Sequence, residues 1–297
     1  MRSVMNMHEE WTWGDLLEQG AKILLDAGIE DCREDAKALF LECFGTDQAG
    51  LLLHRQDRPQ KEQYQQFFQW IARRAQGCPV QYITGTQCFM GLDFLVGPSV
   101  LIPRMDTEVL VEHVLQELPR EPDLVLGVDL CTGSGCIALS LAHLGPSNLM
   151  MLATDISSGA LKVARENARK LAPDCLPQFY QGDLFQALPK QYRGLIDFVV
   201  SNPPYIPTEE IPLLDTNVKD YEPSQALDGG RDGLSFYRRI GVGAQRFLRP
   251  GGHLYLEIGC EQGMAVSRIL KHAGFSEIQI FPDLAGRDRV ISAKKIV

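Results

Sequence analysis

The chain has no run of apolar residues long enough to span a bilayer. Its opening residues, MRSVMNMHEEWTWGD, hold no apolar stretch of the signal-peptide kind and carry acids early. Together these absences predict a cytoplasmic protein that stays out of the membrane. The eight cysteines are Cys32, Cys43, Cys78, Cys88, Cys131, Cys136, Cys175 and Cys260. None forms a Cys-x-x-Cys pair and no histidine-rich tract lies beside them, so no metal site is expected. Scattered thiols in a reducing compartment read as packing residues. Positive charge is not in excess either: 29 Lys and Arg face 38 Asp and Glu, a net charge of −9. A protein that grips nucleic acid by its phosphates usually presents a basic face, so the balance argues against nucleic acid and allows a protein substrate. There is no internal repeat and no low-complexity segment.

What is present is chain enough for two domains, 297 residues of which 45% are hydrophobic. The first part reads as helices. Thr12 suits an N-cap, Trp13, Leu16, Leu17, Ala21 and Leu24 follow at helical spacing, and Gly28 suits a stop. Asp31 with Glu34 resembles a capping box before Ala36, Leu39, Phe40 and Cys43, with Gly45 ending the run. A third helix starts near Pro59, with a stripe of Tyr64, Phe67, Phe68 and Ile71, and Gly77 closes it. Amphipathic helices need a buried face, so this stripe is expected to be bundle core. Residues 1–78 are thus expected to form a helical domain. Residues 79–102 change character: Pro79, Gly85, Gly91, Gly97 and Pro98 punctuate short β-like runs, which predicts a hairpin linker.

Residues 103–297 alternate strands and helices. Strands are expected at 124–130, 149–155, in QFYQGD, IDFVVSN and HLYLEIG, and near SEIQIF and RVISAKK. Helices are expected at 136–144 and 157–171, and in GLSFYRRIGVGAQRFL and EQGMAVSRILKHAG. Repeated βα units imply an α/β fold with a mainly parallel sheet, whose ligands bind at the carboxyl ends of the strands.

The first of these strands runs into Cys131-Thr132-Gly133-Ser134-Gly135 before a helix. Such glycines let backbone come close to a ligand. The run 131–136, Cys-Thr-Gly-Ser-Gly-Cys, does not give the full Gly-x-Gly-x-x-Gly dinucleotide pattern. Asp155 ends the second strand, where a carboxylate can accept from ribose hydroxyls. Its plain alternative is an N-cap for the next helix. Asp183 ends the third strand, placed to meet an adenine amino group, with Phe185 able to pack on the ring. The fourth strand runs into Asn202-Pro203-Pro204-Tyr205. Two prolines hold the backbone extended and remove two N–H donors. An amide or aromatic amine nitrogen is a poor nucleophile because its lone pair is delocalised. The Asn202 side-chain oxygen and the Pro203 carbonyl can hold its two N–H groups and aim the lone pair at the methyl of S-adenosylmethionine, while Tyr205 offers a ring to the planar target.

These motifs resemble the HemK/PrmC family, the N(5)-glutamine methyltransferases of peptide chain release factors. The resemblance takes in the helical N-terminal region, the run Leu101-Ile102-Pro103-Arg104-Met105-Asp106-Thr107-Glu108, the loop CTGSG and NPPY. It extends to the segment 222–230 (EPSQALDGG) and the tail 285–289 (AGRDR). NPPY is shared with adenine and guanine methyltransferases; the other segments are more specific. The resemblance implies a Rossmann-like class I S-adenosylmethionine-dependent methyltransferase fold. It implies as target the glutamine of the Gly-Gly-Gln tripeptide in class 1 release factors. It also implies S-adenosylmethionine at residues 131–135, Asp155, the Asp183/Phe185 region and Asn202, the target glutamine at Asn202 to Tyr205, and Phe89 helping to enclose that side chain. The helical domain would help dock the release factor. Cys131 stands where glycine is common and Met105 where proline is usual. A relative acting on a ribosomal protein and nucleic-acid exocyclic amine methyltransferases remain the alternatives. Arg104 and Glu108 are expected in a linker ion pair or helix start, and His113, His143 and His272 at surface or satisfied helix positions.

Overall fold

The structure is a computed structural model that describes residues 11–118, 124–173 and 176–296. The readings made at residues 1–10 and at Cys175 lie outside these. The chain separates into two compact units: one runs to Gly85 and includes Thr216–Tyr221, and the other holds Thr86–Asp215 and Glu222–Val297.

In the first unit α1 (Trp13–Asp26) starts at Thr12, whose hydroxyl accepts from the Asp15 amide at 3.2 Å while the Asp15 carboxylate accepts from the Thr12 amide at 2.9 Å. α2 (Cys32–Phe44) does not start from the expected capping box. Asp31 has ψ of 33°, not extended, so its carboxylate makes no cap bond, and Glu34 faces Lys37 instead. Gly45, at φ 59°, ends the helix as expected. A short helix not foreseen, α3 (Gln48–Leu53), is capped by Asp47, which accepts from the Gly50 amide at 2.7 Å. α4 (Lys61–Ala75) carries the aromatic stripe. Phe67 and Ile71 are buried, Phe67 packs edge-on to Phe40, and Tyr64 and Phe68 pack on Trp11. The stripe is bundle core. The unit passes the expected end at residue 78, because 80–84 form α5 (Val80–Thr84), which packs on α2 and α4 and closes at Gly85 with φ 84°. The returning segment is held by the Tyr221 hydroxyl, which donates to the Gln76 carbonyl at 2.8 Å.

The second unit opens with the hairpin β1 (Thr86–Phe89) and β2 (Leu92–Leu95). Met90 and Gly91 join them at φ 52° and 74°, positive at both central positions as a type I′ turn demands. Helix α6 (Met105–Glu117) follows. Then come β3 (Val125–Leu130), α7 (Cys136–Leu144), β4 (Leu149–Asp155), α8 (Ser158–Leu171), β5 (Gln178–Gln181) and β6 (Ile196–Ser201). α9 (Ser235–Phe247), β7 (Leu248–Glu257), α10 (Gly263–His272), β8 (Phe275–Pro282) and β9 (Asp288–Lys295) complete the unit. The sheet order is β5-β4-β3-β6-β7-β9-β8, parallel except where β9 runs against β7 and β8. Successive strands step outward from β3 to β5, then return to β6 on its other side. That reversal opens a crevice at the carboxyl ends of β3, β4 and β6.

Period-2 side chains give the sheet two cores. Leu126, Val128 and Leu130 pack with Tyr237, Ile240 and Leu270 of α9 and α10. Val125, Met151 and Phe198 pack with Leu110, Val114 and Ile137 of α6 and α7. Gly127 belongs to the second face, where a Cβ would lie 2.3 Å from the Phe198 ring and 2.6 Å from the Met151 sulfur. Gly127→Ala is therefore expected to cost about 1–3 kcal/mol of stability by overpacking. Denaturant unfolding measures it, and Phe198→Leu in the same chain should recover part; an unchanged midpoint for the single variant would reject the close fit.

Candidate functional site

The crevice is a cleft of about 230 Å³. Cys131, Thr132, Gly133 and Ser134 line it, with Asp155, Asp183, Asn202 and Pro204. Gly135 does not line it. Gly135 sits at φ 83° ahead of α7, where a Cβ would press on Leu139 at 3.0 Å and Ala164 at 3.2 Å, so it shapes the loop. Cys131 has φ 59°, a backbone that glycine adopts without strain. Its thiol is pushed far up by burial, then by the charges of Asp155 and Asp129, and stays neutral. A small packing residue fits that setting and a nucleophile does not.

Two carboxylates pin the loop. Asp129, fully buried, accepts from the Thr132 hydroxyl at 2.6 Å and the Ala138 amide at 3.2 Å. Asp155 accepts from the Gly133 amide at 2.9 Å and the Ser157 amide at 2.8 Å. Burial raises its carboxyl, and these amides hold it down. The cap of α8 is Ser157, accepting from the Ala160 amide at 3.1 Å, so Asp155 is not the N-cap.

Other residues fall differently from expectation. The Asp183 Oδ2 atom is engaged by Arg239, which also lines the cleft. Phe185 is absent from the lining. It is 7% exposed, stacks on Phe247 at 5.1 Å and belongs to the core beneath α9. Leu184, turned by φ of 50°, lines the cleft instead, with Ile156 and Phe236. Leu184 directly follows Asp183 and Ile156 directly follows Asp155, so an apolar side chain after a strand-end acid was the available signal; Phe236 sits inside an expected helix and had none. Phe89 is 1% exposed, packed on Phe94 at 6.0 Å in the second core, and presents no ring to the cleft. Packing takes both rings because each sits at a strand or turn end facing apolar neighbours.

In the tetrapeptide, Asn202 and Pro204 line the cleft and Pro203 is buried. The Asn202 Nδ2 donates to the Thr107 hydroxyl oxygen at 3.1 Å. Tyr205 lies off the cleft lining, and its hydroxyl donates to Glu257 Oε1 at 3.3 Å.

The more specific motifs converge around these residues. Arg104 pairs with Glu222, whose other oxygen accepts from the Ile102 amide at 3.1 Å. Arg289 reaches Asp106 at 3.0 Å, Asp283 at 3.3 Å and the Ile258 carbonyl at 3.3 Å. Asp228 accepts from the Thr208 hydroxyl at 2.7 Å and the Gly230 amide at 2.9 Å, tying 222–230 to the chain after Tyr205. Glu108 accepts from the Met90 amide at 2.6 Å, fastening α6 to the hairpin. Met105 is the first residue of α6 and exposed, a first-turn position where proline also fits because the N–H there has no partner within the helix. His113 packs on Phe281, His272 bonds the Arg268 carbonyl, and His143 is exposed. Among the described residues no group of His, Cys, Asp and Glu could hold a metal ion, and no helix is long and apolar enough to cross a membrane.

Known proteins resemble the chain over both units. The PrmC N-terminal domain model matches residues 15–85, and the methyltransferase small domain model matches 105–213. The release factor glutamine methyltransferase of Moorella thermoacetica is 46% identical over 280 residues, 93% of this chain and 96% of that protein. The release factor glutamine methyltransferase of Geobacter sulfurreducens is 39% identical over 286 residues, 96% of this chain and 98% of that protein. A solved methyltransferase from Pyrococcus furiosus superposes with a TM-score of 0.51 at 17% identity, covering 70% of this chain and 90% of that one, which shows a shared fold alone.

Asp129 generates a pH prediction. Burial lifts its carboxyl to about 7 in the folded chain. A raised folded-state value stabilises most below the unfolded pKa, and the contribution is lost as pH rises through about 4 to 7. Asp129→Asn removes the ionisation. The Tm of the variant relative to wild type should therefore climb across that window and level off above it, read by thermal melts at a series of pH values; a constant difference would mean that Asp129 titrates normally.

Proposed function

The chain belongs to the release factor glutamine methyltransferase family, and from that premise we propose that its cleft holds S-adenosylmethionine and directs methylation to the glutamine side-chain amide nitrogen in the Gly-Gly-Gln tripeptide of class 1 release factors. The observation that carries the reading is that Asn202 opens on the same cleft as Asp155 and the loop 131–134, with its Nδ2 already committed to Thr107. That leaves Oδ1 as the side chain's acceptor for a ligand.

The residues present fit the cofactor. A Cβ at Gly133 would meet nothing within 4 Å, so the loop backbone is open to a close approach. Cys131, Thr132, Gly133 and Ser134 would face the amino-acid portion, and Asp155 would accept from the ribose hydroxyls. Asp183 keeps Oδ1 for the adenine amine while Oδ2 takes Arg239. Ile156 and Leu184 supply the apolar walls for the ring. When bound, the cofactor supplies an electrophilic methyl group on a sulfonium.

The chain's own part is orientation. The Asn202 Oδ1 and the Pro203 carbonyl accept the two N–H groups of the target amide, turning its nitrogen lone pair toward the methyl. Pro203 and Pro204 keep that backbone extended. Acceptors fixed in advance stabilise the positive charge that develops on the nitrogen. Tyr205 supports this segment from behind through Glu257 rather than offering its ring. The helical unit, in this reading, helps dock a release factor in the cytoplasm.

Incubation with labelled S-adenosylmethionine tests the acceptor. Label should enter a class 1 release factor and disappear when its Gly-Gly-Gln glutamine is replaced by alanine; label in RNA or a ribosomal protein instead would overturn the assignment. Asn202→Ala should lower kcat about 10²–10³-fold with the fold retained. Single-turnover transfer at the wild-type rate would remove Asn202 from the mechanism. Asp155→Ala should weaken cofactor binding by about 1.5–3 kcal/mol, the worth of a charged hydrogen bond. Calorimetry that finds equal affinity would reject the ribose contact.

A further inference from the structure

An asparagine amide has two faces, and only one suits the proposed acceptor role. With Oδ1 toward the target, it accepts from an amide N–H; turned over, it meets that N–H with its own NH2 group. The tetrapeptide alone does not decide between them.

The neighbours of Asn202 do. Thr107, 2% exposed on α6, donates its hydroxyl proton to Glu257 Oε2 at 2.6 Å. A threonine hydroxyl has one proton to give, and here it is spent on the carboxylate. Its oxygen can then only accept, and the atom that faces it at 3.1 Å is the Asn202 Nδ2. Glu257 is 1% exposed, and its other oxygen accepts from the Tyr205 hydroxyl, so an ionised carboxylate there is an acceptor to both neighbours.

We propose that Thr107 is a positioning residue for methyl transfer: held by the Glu257 carboxylate, it fixes the Asn202 amide with its carbonyl oxygen toward the target nitrogen. The inference rests on the assigned reaction and goes beyond it: Thr107 lies in the cleft lining, but its hydroxyl is taken up by the side chains of Glu257 and Asn202. Its effect passes through one side chain and should appear in turnover, not in cofactor affinity.

Thr107→Val keeps the shape and removes the hydroxyl; Thr107→Ser keeps the hydroxyl. The assay uses full-length chain, release factor and S-adenosylmethionine near pH 8, above the value of about 7 to which burial pushes Glu257, so that the carboxylate is ionised. Thr107→Val should lose roughly 10–100-fold in single-turnover rate, the worth of one orienting hydrogen bond in a preorganised site, with cofactor Kd and release-factor KM unchanged. Thr107→Ser should run close to wild type. In an Asn202→Ala background the valine substitution should cost nothing more, since the side chain it orients is gone. Thermal melts establish that each variant is folded, and Thr107→Ala takes the place of the valine variant if that chain does not fold. A valine or alanine variant as fast as wild type overturns the proposal. So does a serine variant as slow as the valine one, or a loss of equal size with Asn202 already removed. No transfer by the wild-type chain would instead sink the assigned reaction, and this inference with it.

Discussion

A carboxylate at the end of β7, Glu257, has 1% of its surface in water. Removing an ion from water costs several kcal/mol unless hydrogen bonds replace the lost hydration. Its partners come from distant parts of the chain: Thr107 on α6 and Tyr205 after β6, with Arg289 of β9 adding favourable charge. The hydroxyl that serves Glu257 is the one that holds Asn202, and the arginine also engages Asp106 and Asp283. The segment 101–108, the tetrapeptide and the tail near 289 therefore meet because one buried charge needs all three. Behind the lining residues Arg104 and Pro223 the same constraint recurs at Glu222, which burial raises and which Arg104 and the Ile102 amide hold down.

Much of the sheet was legible because its strands are short apolar runs with polar punctuation. The expected 136–144 and 149–155 coincide with α7 and β4. At Thr12 a local cap could be read, since both of its bonds go to Asp15, three residues on. Asp31 and Glu34 share that spacing and failed, because spacing does not determine the ψ angle that aims the side chain. α5 was hidden by Pro79 and Gly85, which look like loop punctuation but serve as its start and its left-handed end.

The cleft was legible where its lining residues lie at strand ends and illegible where it depends on pairing. Gly133, Asp155 and Asn202 lie at or just past the ends of predicted strands, so topology alone brings them together. Phe185 and Phe89 were read as ligand-facing rings, yet each is buried in a core. An aromatic beside a cleft looks the same in sequence whichever way it turns. Thr107 and Glu257 are 150 residues apart, and no local pattern announces that they meet. The one available sign was a glutamate in the otherwise apolar run LYLEIG. The unusual Cys131 did carry a signal: its left-handed backbone explains why glycine is expected there, and the chain keeps that strain beside its cleft.

The helical unit is not continuous in sequence, since Thr216–Tyr221 belongs with residues that end at Gly85. Synthesis proceeds from the N-terminus, so those six residues emerge after β1 to β6 have been made. Until then the Gln76 carbonyl waits for the Tyr221 hydroxyl that will engage it. The first-made unit is thus completed late, and its final closure is tied in time to the growth of the sheet.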